Sequence, residues 1–254
     1  MSKINHLYNK KRLRLDLTIL NLGLSESRTK AIDLIKGGRV FVNFKIIKKT
    51  SYLVKKEDKI YIEKKFIQWV SRGSIKLLFA IEKFDLDIKG KIVYDIGAST
   101  GGFTEVCLEK GARLVYSIDV GTNQLHKKLK NDKRVFDFSS TDIRSISKIN
   151  LPIPQLLVVD LSFISITKAL TLVMSKVPIN TKMICLIKPQ FELSKKQLNK
   201  NGVVKKDEFI EDVIFKIKHF IKKLKWHFID IKESPILGRS GNKEFLLYAK
   251  KKGY

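Results

Sequence analysis

The segment from Tyr94 to Phe103, YDIGASTGGF, constrains the fold of this chain more than any other stretch. An apolar run over 91–96 carries a single acid, Asp95, and then meets a glycine-rich turn at 97–102. The residues that follow, FTEVCLEKGA, have helical spacing, so their first backbone N–H groups would lie beside the turn. A buried strand, a glycine turn and a helix in this order predict a cofactor loop in an α/β fold.

The glycine spacing distinguishes between the common kinds of cofactor loop. A phosphate-binding P-loop has Lys and then Ser or Thr after its last glycine, whereas Phe103 and Thr104 stand here, which excludes it. A dinucleotide loop reads G-x-G-x-x-G, whereas this chain has G-x-x-x-G-G, which weakens that interpretation. The pattern favours a Rossmann-like methyltransferase loop for S-adenosylmethionine, and a tight turn that binds no ligand stays open.

Short apolar strands alternate with helical segments after residue 90, as is typical of a parallel sheet covered on both faces. The strands are predicted at 91–96, 114–119, 134–138, 155–160, 182–187, 226–232 and 243–249. The sequence therefore predicts an α/β domain with a seven-stranded, mostly parallel sheet.

The composition of the chain indicates a polyanionic binding partner. The formal net charge is +26, and residues 1–65 carry 17 basic and 6 acidic side chains, the denser share. Because 42 of the 51 basic residues are lysine, an AT-rich genome is the competing explanation for the total. Cys107 and Cys185 lack metal-like spacing, so we expect reduced thiols and no metal site. With no apolar span and no signal sequence in view, we expect a cytoplasmic protein without membrane contact.

The N-terminal residues predict a small α+β domain. A leucine-rich helix over 14–22 ends at Gly23, and Ser25 suits the N-cap of a second helix that ends at Gly37 and Gly38. RVFVNFKII then alternates around a VNFK hairpin turn, and KIYIE at 59–63 is a further strand.

LRLD, SRTKAIDLIKGGRVFVN and the strand after Asp58 resemble the S4 type of RNA-binding domain. This resemblance implies a basic face, made by the two helices and the hairpin, that meets structured RNA. The residues expected to contact RNA are Arg14, Arg28, Lys30, Lys36, Arg39 and, beyond the domain, Arg72. For each one, an ordinary solvated surface charge is the alternative.

Several charged residues stand at the ends of predicted strands. Asp119 lies 22 positions after Gly97, where doubly wound folds place an acid on ribose hydroxyls. Asp142 is a candidate for the adenine amino group, or equally a helix N-cap. Three more residues lie beside apolar strands whose ends converge at the sheet edge, namely Asp160, Lys188 and Glu244, and Lys76 stands before the sheet in VSRGSIK. Brought together in a cleft, these side chains would shift one another's pKa values as proton transfer requires.

The ordered motifs VSRGSIKL, DIGASTGGFT, YSIDVGTNQL, VVDLSFISI, IKPQFE, GVVKK and SPILGRSGNKEFLL resemble the TlyA family. These are rRNA 2′-O-methyltransferases of the FtsJ type, historically called haemolysins. The resemblance implies a Rossmann-like S-adenosylmethionine-dependent methyltransferase at 77–254, joined by a linker at 66–76 to an RNA-binding domain at 1–65. Its implied acceptor is cytidine of the large-subunit rRNA, with the small subunit as a second candidate, and its implied partners are rRNA or ribosomal subunits, without a stable protein partner.

The same resemblance assigns residues to tasks. The family's catalytic Lys-Asp-Lys-Glu tetrad falls on Lys76, Asp160, Lys188 and Glu244, and Lys188 is expected to orient or deprotonate the ribose hydroxyl with Lys76 as its electrostatic partner. The residues expected to bind S-adenosylmethionine are Asp95, Gly97, Ser99, Thr100, Gly101, Gly102, Phe103, Asp119, Asp142 and Asp160.

Three positions depart from the family pattern. Ser74 replaces a glycine and is expected to alter the bend near Lys76, and Phe44 replaces a hairpin glycine, which predicts a different turn geometry. Asp142 stands where many relatives have asparagine. The alternatives for the whole chain are a catalytically inactive ribosome-assembly factor, a membrane-active haemolysin and, last, an NAD enzyme.

Overall fold

The computed structural model describes residues 13–62, 69–148, 150–238 and 240–253. The chain divides into two compact units, Met1–Trp69 and Val70–Tyr254. Residues 66–68 of the expected linker lie outside the described part of the chain. At the other end of that linker, a helix begins at Gly73, so residues 73–76 belong to the second unit.

The N-terminal unit combines two helices with short strands. Strand β2 pairs antiparallel with β3 and with β5, and β1 pairs antiparallel with β4. Its core is made by apolar side chains of both helices packed against the strands, among them Leu15, Ile19 and Ile35, all fully buried. The elements are β1 (Leu13–Arg14), α1 (Leu15–Asn21), α2 (Arg28–Lys36), β2 (Val40–Val42), β3 (Lys45–Ile46), β4 (Leu53–Val54) and β5 (Ile60–Ile62).

Two local predictions for this unit were wrong. The N-cap of α2 is Ser27, whose side chain accepts the N–H of Lys30, whereas the hydroxyl of Ser25 donates to the carbonyl of Ser27. In the hairpin, Asn43 and Phe44 both have left-handed φ angles, 50° and 67°, so the turn keeps the geometry that glycine usually provides. Phe44 is 3% exposed and packs on a tyrosine ring 5.2 Å away, which offsets the backbone strain.

The second unit contains a seven-stranded sheet in the order β11-β12-β10-β9-β6-β7-β8. Neighbouring strands from β10 to β8 are parallel, and β12 runs antiparallel to both of its neighbours. The strands are β6 (Ile92–Ile96), β7 (Leu114–Ile118), β8 (Val135–Phe138), β9 (Leu156–Val159), β10 (Lys182–Ile187), β11 (Trp226–Glu233) and β12 (Phe245–Lys251). All seven predicted strands are confirmed, within one or two residues at their ends.

Helices connect these strands. The described helices of this unit are α3 (Gly73–Lys83), α4 (Gly102–Glu109), α5 (Lys127–Lys130), α6 (Ile166–Lys176), α7 (Pro189–Glu192) and α8 (Asp207–Lys223), with 3₁₀ turns at Ile143–Lys148 and Lys195–Gln197. The central strand β9, LLVV, is buried at every residue, as expected for a parallel strand covered on both faces. Across the described ranges, no helix is long and apolar enough to span a bilayer.

Strand register explains where the functional residues gather. Val159 pairs with Ile96 on one side and with Cys185 on the other, so Asp160 follows β9 at the carboxyl edge beside the glycine turn. Ile187 pairs with Phe245 in the antiparallel ladder. The residues one step further along, Lys188 and Glu244, therefore emerge side by side at the same edge.

Candidate active site

The glycine turn lies directly against the end of β9. Gly97 has a φ of +85°, and a Cβ at this position would lie 2.5 Å from the carbonyl oxygen of Asp160. Ser99 is also left-handed, with a φ of 49°, and it is exposed together with Thr100. Only glycine fits where the turn crosses β9, so the turn presents its Ser99–Thr100 tip to solvent at the carboxyl edge.

Asp119 braces this turn from the neighbouring strand. Its Oδ2 accepts the N–H of Ser99 at 2.8 Å, and its Oδ1 accepts the N–H of Gly121 at 2.7 Å. The Ser99 N–H is thereby committed to a carboxylate. A phosphate would need that donor for itself, so the turn is poorly suited to a phosphate or pyrophosphate group.

Asp95 is a fully buried acid beneath the turn. Its Oδ2 accepts the hydroxyl of Thr104 at 2.6 Å, while Oδ1 has no hydrogen-bond partner among the described residues. Burial raises the pKa of Asp95 to about 7, and the hydrogen bond from Thr104 offsets part of that rise. The nearby carboxylates of Asp160 and Asp119 raise it further. Three acids thus surround the turn, an environment that attracts a cation.

Two lysine–carboxylate ion pairs stand at the same edge. Lys76 Nζ lies 2.5 Å from Oε2 of Glu244, and both side chains are almost wholly buried. Lys188 Nζ lies 2.7 Å from Oδ1 of Asp160 and donates to Ser162 Oγ at 2.7 Å. The exposed fractions of the Lys188 and Asp160 side chains are 11% and 21%, so this second pair is the more accessible one.

Helix α3 joins the first pair to the second. Gly73, one turn before Lys76, lies close enough to Asp160 that a Cβ there would be 3.7 Å from its Oδ2. The four predicted tetrad residues therefore form two ion pairs around one sheet edge, beside the glycine turn. Partly buried lysines paired with carboxylates are suited to orienting a hydroxyl group and moving its proton.

Comparison with known proteins adds the family. The model of FtsJ-like methyltransferases matches residues 69–251, and the S4 domain model matches residues 13–60. Hemolysin A of Brachyspira hyodysenteriae is 38% identical over 238 residues, which cover 93% of this chain and 99% of that protein. The 16S/23S rRNA (cytidine-2'-O)-methyltransferase TlyA of Mycobacterium tuberculosis is 35% identical over 94% of this chain and 90% of its own. The chain belongs to the TlyA family of FtsJ-like methyltransferases.

A solved structure supports this assignment. A candidate hemolysin from Streptococcus thermophilus, 32% identical, superposes with a TM-score of 0.72 over 95% of this chain and 89% of its own. The predicted fold class, a Rossmann-like methyltransferase with an S4 domain in front, is confirmed.

Ser74, one of the three departures from the TlyA pattern, is not in a loop. It is the second residue of α3, it is fully buried, and its hydroxyl donates to the carbonyl of Gly102 at 3.0 Å. The serine therefore fastens the helix that carries Lys76 to the start of α4, immediately after the glycine turn.

Some of the residues predicted for this TlyA-family chain have partners of their own. The carboxylate of Asp142 accepts the backbone N–H of Arg144 at 2.8 Å and pairs with its guanidinium group, which lowers the pKa of Asp142. It thus acts as a cap for the 3₁₀ turn at Ile143–Lys148, the alternative that the sequence left open, and its contact with adenine stays a prediction.

The predicted RNA-binding residues are spread over both units. Arg14 and Arg28 both bind the fully buried carboxylate of Asp16, with N–O distances of 3.0 Å. Their side chains remain 42% and 52% exposed. Lys30 pairs with Glu26, which precedes α2. The remaining three are Lys36 at the end of α2, Arg39 before β2, and Arg72 just before α3.

Two exposed apolar residues of the site were missed from the sequence. Val120, directly after Asp119, is 72% exposed. Phe163, three residues after Asp160, is 89% exposed, has a φ of 64°, and contacts the Phe191 ring at 4.9 Å. Their position in the sequence could have revealed them. Each follows an acid that ends a predicted strand, so it lies beyond the buried part of that strand.

Proposed function

We propose that this protein transfers a methyl group from S-adenosylmethionine to the ribose 2′-hydroxyl of cytidine in ribosomal RNA. The observation that carries the proposal is the pairing of Lys188 with Asp160 and of Lys76 with Glu244 beside the glycine turn. The M. tuberculosis relative is named a 16S/23S rRNA (cytidine-2'-O)-methyltransferase, which supports cytidine of the large-subunit rRNA as acceptor, with the small subunit as a second substrate.

The charge of the turn supports this cofactor over a dinucleotide. S-adenosylmethionine carries a sulfonium and an ammonium cation and no phosphate, and when bound it supplies an activated methyl group. Asp119 at the turn suits such a cation, and Asp160 beside it is already paired with Lys188. A pyrophosphate would instead face the Asp119 carboxylate and find the Ser99 N–H already bound.

Within this proposal, different residues of the turn contact different parts of the cofactor. The oxygens of Asp119 retain lone pairs that can accept ribose hydroxyls, and Val120 offers an apolar surface for the adenine ring. The remaining cofactor contacts that we propose are Gly97, Ser99, Thr100, Gly101, Gly102, Phe103 and, for the adenine amino group, Asp142.

The two lysines would act on the acceptor hydroxyl. Its proton must leave as its oxygen is methylated. We assign Lys188 to receive or orient that proton, because its partner Asp160 is the more exposed of the two carboxylates, 21% against 3% for Glu244. Asp160 and Ser162 fix the position of that amine. Lys76, held by Glu244, places a second, buried ammonium group at the same edge. Holding the hydroxyl in line with the methyl group can itself contribute roughly 7–11 kcal/mol.

Recognition of RNA would use both units. In the S4 unit, the residues that would bind phosphates are Arg14, Arg28, Lys30, Lys36 and Arg39. In the second unit, Arg72 would bind phosphates just before α3. At the sheet edge, the exposed ring of Phe163 gives an unstacked base a surface on which to lie. With ribosomal RNA or a ribosomal subunit as the substrate, we expect the protein to act in the cytoplasm.

Mass-spectrometric mapping of 2′-O-methylcytidine in rRNA, with and without this gene, tests substrate and activity together. We expect at least one modified cytidine to disappear without the gene and to return with the wild-type gene. Purified Lys188→Ala protein should bind S-adenosylmethionine but not methylate, whereas the exposed-lysine control Lys195→Ala should behave as wild type. Normal methylation by Lys188→Ala would remove Lys188 from the mechanism, and rRNA binding without any wild-type transfer would favour the assembly-factor alternative.

A further inference from the structure

The carboxylate of Glu244 rests on a glycine. A Cβ at Gly238 would lie 3.0 Å from Cδ of Glu244 and 2.4 Å from its Oε1, and the second distance is shorter than real Cβ contacts. Gly238 is not among the glycines with positive φ, so its backbone does not demand glycine. What demands it is the space that the Glu244 carboxylate occupies.

We call Gly238 the seat of the Glu244 carboxylate. Backbone hydrogen bonds hold this seat in a tight turn. The N–H of Gly238 donates to the carbonyl of Asn242 at 2.9 Å, and the N–H of Gly241 donates to the carbonyl of Gly238 at 2.9 Å. The carbonyl of Glu244 accepts the N–H of Ser234 at 2.8 Å. These hydrogen bonds fix the backbone around Glu244, whose side chain pairs with Lys76.

The side chain of Asn242 fastens this turn to a second loop. It is 2% exposed, its Oδ1 accepts the N–H of Val204 at 3.0 Å, and its Nδ2 donates to the carbonyl of Gly202 at 2.9 Å. That second loop is itself closed by Asn199, whose Oδ1 accepts two backbone N–H groups. One asparagine therefore joins two loops that lie about 40 residues apart in the chain.

We propose that Gly238 and Asn242 are positioning residues that set the Glu244 carboxylate against Lys76. The inference rests on the proposed function, because it assigns the ion pair to catalysis. It gives a task to the GVVKK and SPILGRSGNKEFLL motifs, which contain Gly202 and Gly238. Neither residue needs to contact the RNA or the cofactor for this task.

A methyl group added at position 238 would displace one particular side chain, that of Glu244, which a general loss of backbone flexibility would not do. The added Cβ would overlap Oε1 of Glu244, whereas Oε2 makes the contact with Lys76. Because the Glu244 side chain is 3% exposed, its carboxylate must shift or turn inside the protein, which disturbs the contact with Lys76. A displacement of about 1 Å at a catalytic group can cost about 100-fold in rate. Shortening the side chain at 244 by one methylene would withdraw the carboxylate from the added methyl group.

A double-mutant cycle in the full-length protein therefore tests the seat. We expect Gly238→Ala to lower kcat about 100-fold with the affinity for S-adenosylmethionine unchanged, and Asn242→Ala to act in the same direction. In the Glu244→Asp background, Gly238→Ala should cost less than about threefold, because the two changes share one contact. The matched control Asn201→Ala, an exposed asparagine of the same loop, should be neutral. Additive losses in the cycle, or full activity of Gly238→Ala, would overturn the inference.

Thermal unfolding separates this result from the proposed function. Glu244→Gln should lower the Tm in the presence of Gly238 and lower it much less in the Gly238→Ala background, where the ion pair is already displaced. This coupling does not depend on methylation. If wild-type protein methylates nothing yet the coupling is present, the seat stands and the proposed function fails; equal Tm shifts in both backgrounds refute the seat.

Discussion

The buried carboxyl group of Asp95 leads to a prediction that can be tested without any ligand. It is fully buried, one of its oxygens has no hydrogen-bond partner among the described residues, and its pKa is raised to about 7 from an ordinary 3.8. Because the native state holds this proton more tightly than the unfolded chain, the acid destabilises the fold wherever the unfolded carboxyl is ionised. Asp95→Asn keeps the shape and removes the titration.

The size of the effect follows from the shift. Between pH 3.8 and about 7 the native state binds one proton that the unfolded chain has lost. The free energy of unfolding therefore falls by about 1.4 kcal/mol per pH unit over this window and is constant above it. The total is about 4 kcal/mol, to be set against the 5–15 kcal/mol that a typical domain has.

Urea unfolding over about pH 5 to pH 8 measures this dependence. Because the two units can unfold separately, the probe should report one of them. Trp226, 3% exposed in the second unit, serves this purpose in a Trp69→Phe background.

Wild type should lose stability across this window relative to Asp95→Asn, and the difference should level off above about pH 7. The comparison uses the pH slope, because the new amide introduces a buried donor whose cost is the same at every pH. The exposed-acid control Asp87→Asn should retain the wild-type slope, since the pKa of Asp87 is lowered and its titration lies below the window. Identical slopes for wild type and Asp95→Asn would refute the assignment of a raised pKa to this buried acid.

Two further predictions concern the other buried or bracing acids. Asp119→Ala releases the N–H groups of Ser99 and Gly121, so affinity for S-adenosylmethionine should fall at least about tenfold in calorimetry. Unchanged affinity would show that the brace is dispensable. Asp16→Asn removes the charge that orders Arg14 and Arg28, so it should lower the unfolding free energy by about 1–3 kcal/mol and weaken rRNA binding in a filter assay, and normal rRNA affinity would remove the two arginines from the RNA interface.

The sheet was predictable from the sequence because its strands are short apolar runs bounded by turn residues. Such runs depend on local pattern alone, and all seven were found within one or two residues. The N-cap of α2 was assigned to the wrong residue because two nearby serines can each take the capping position. Ser25 and Ser27 both suit an N-cap, and only the backbone at Ser27, with its hydroxyl facing the N–H of Lys30, performs it.

The pairing within the site could not be predicted in the same way. Motif resemblance placed Lys76 and Glu244 in one tetrad, but they are 168 positions apart, and nothing in the sequence says which lysine meets which carboxylate. That choice is made by strand register and by the entry of α3 beside the glycine turn. The hairpin at Phe44 shows the same limit, because its strained backbone is offset by a ring contact with Tyr61 that only the folded chain contains.

Three strained or costly residues of the second unit lie at the carboxyl edge of its sheet. Asp95 is buried with a raised pKa, and Ser99 and Phe163 have left-handed backbones without being glycine. Folding alone would favour relieving each of them, since a left-handed backbone at a residue other than glycine costs on the order of 1–3 kcal/mol and the buried acid costs about 4 kcal/mol. Their location beside the two ion pairs is what a cation-binding catalytic edge predicts. If Asp95→Asn proves more stable above pH 7 but binds S-adenosylmethionine less tightly, the cost of that buried acid is explained by the cation it attracts.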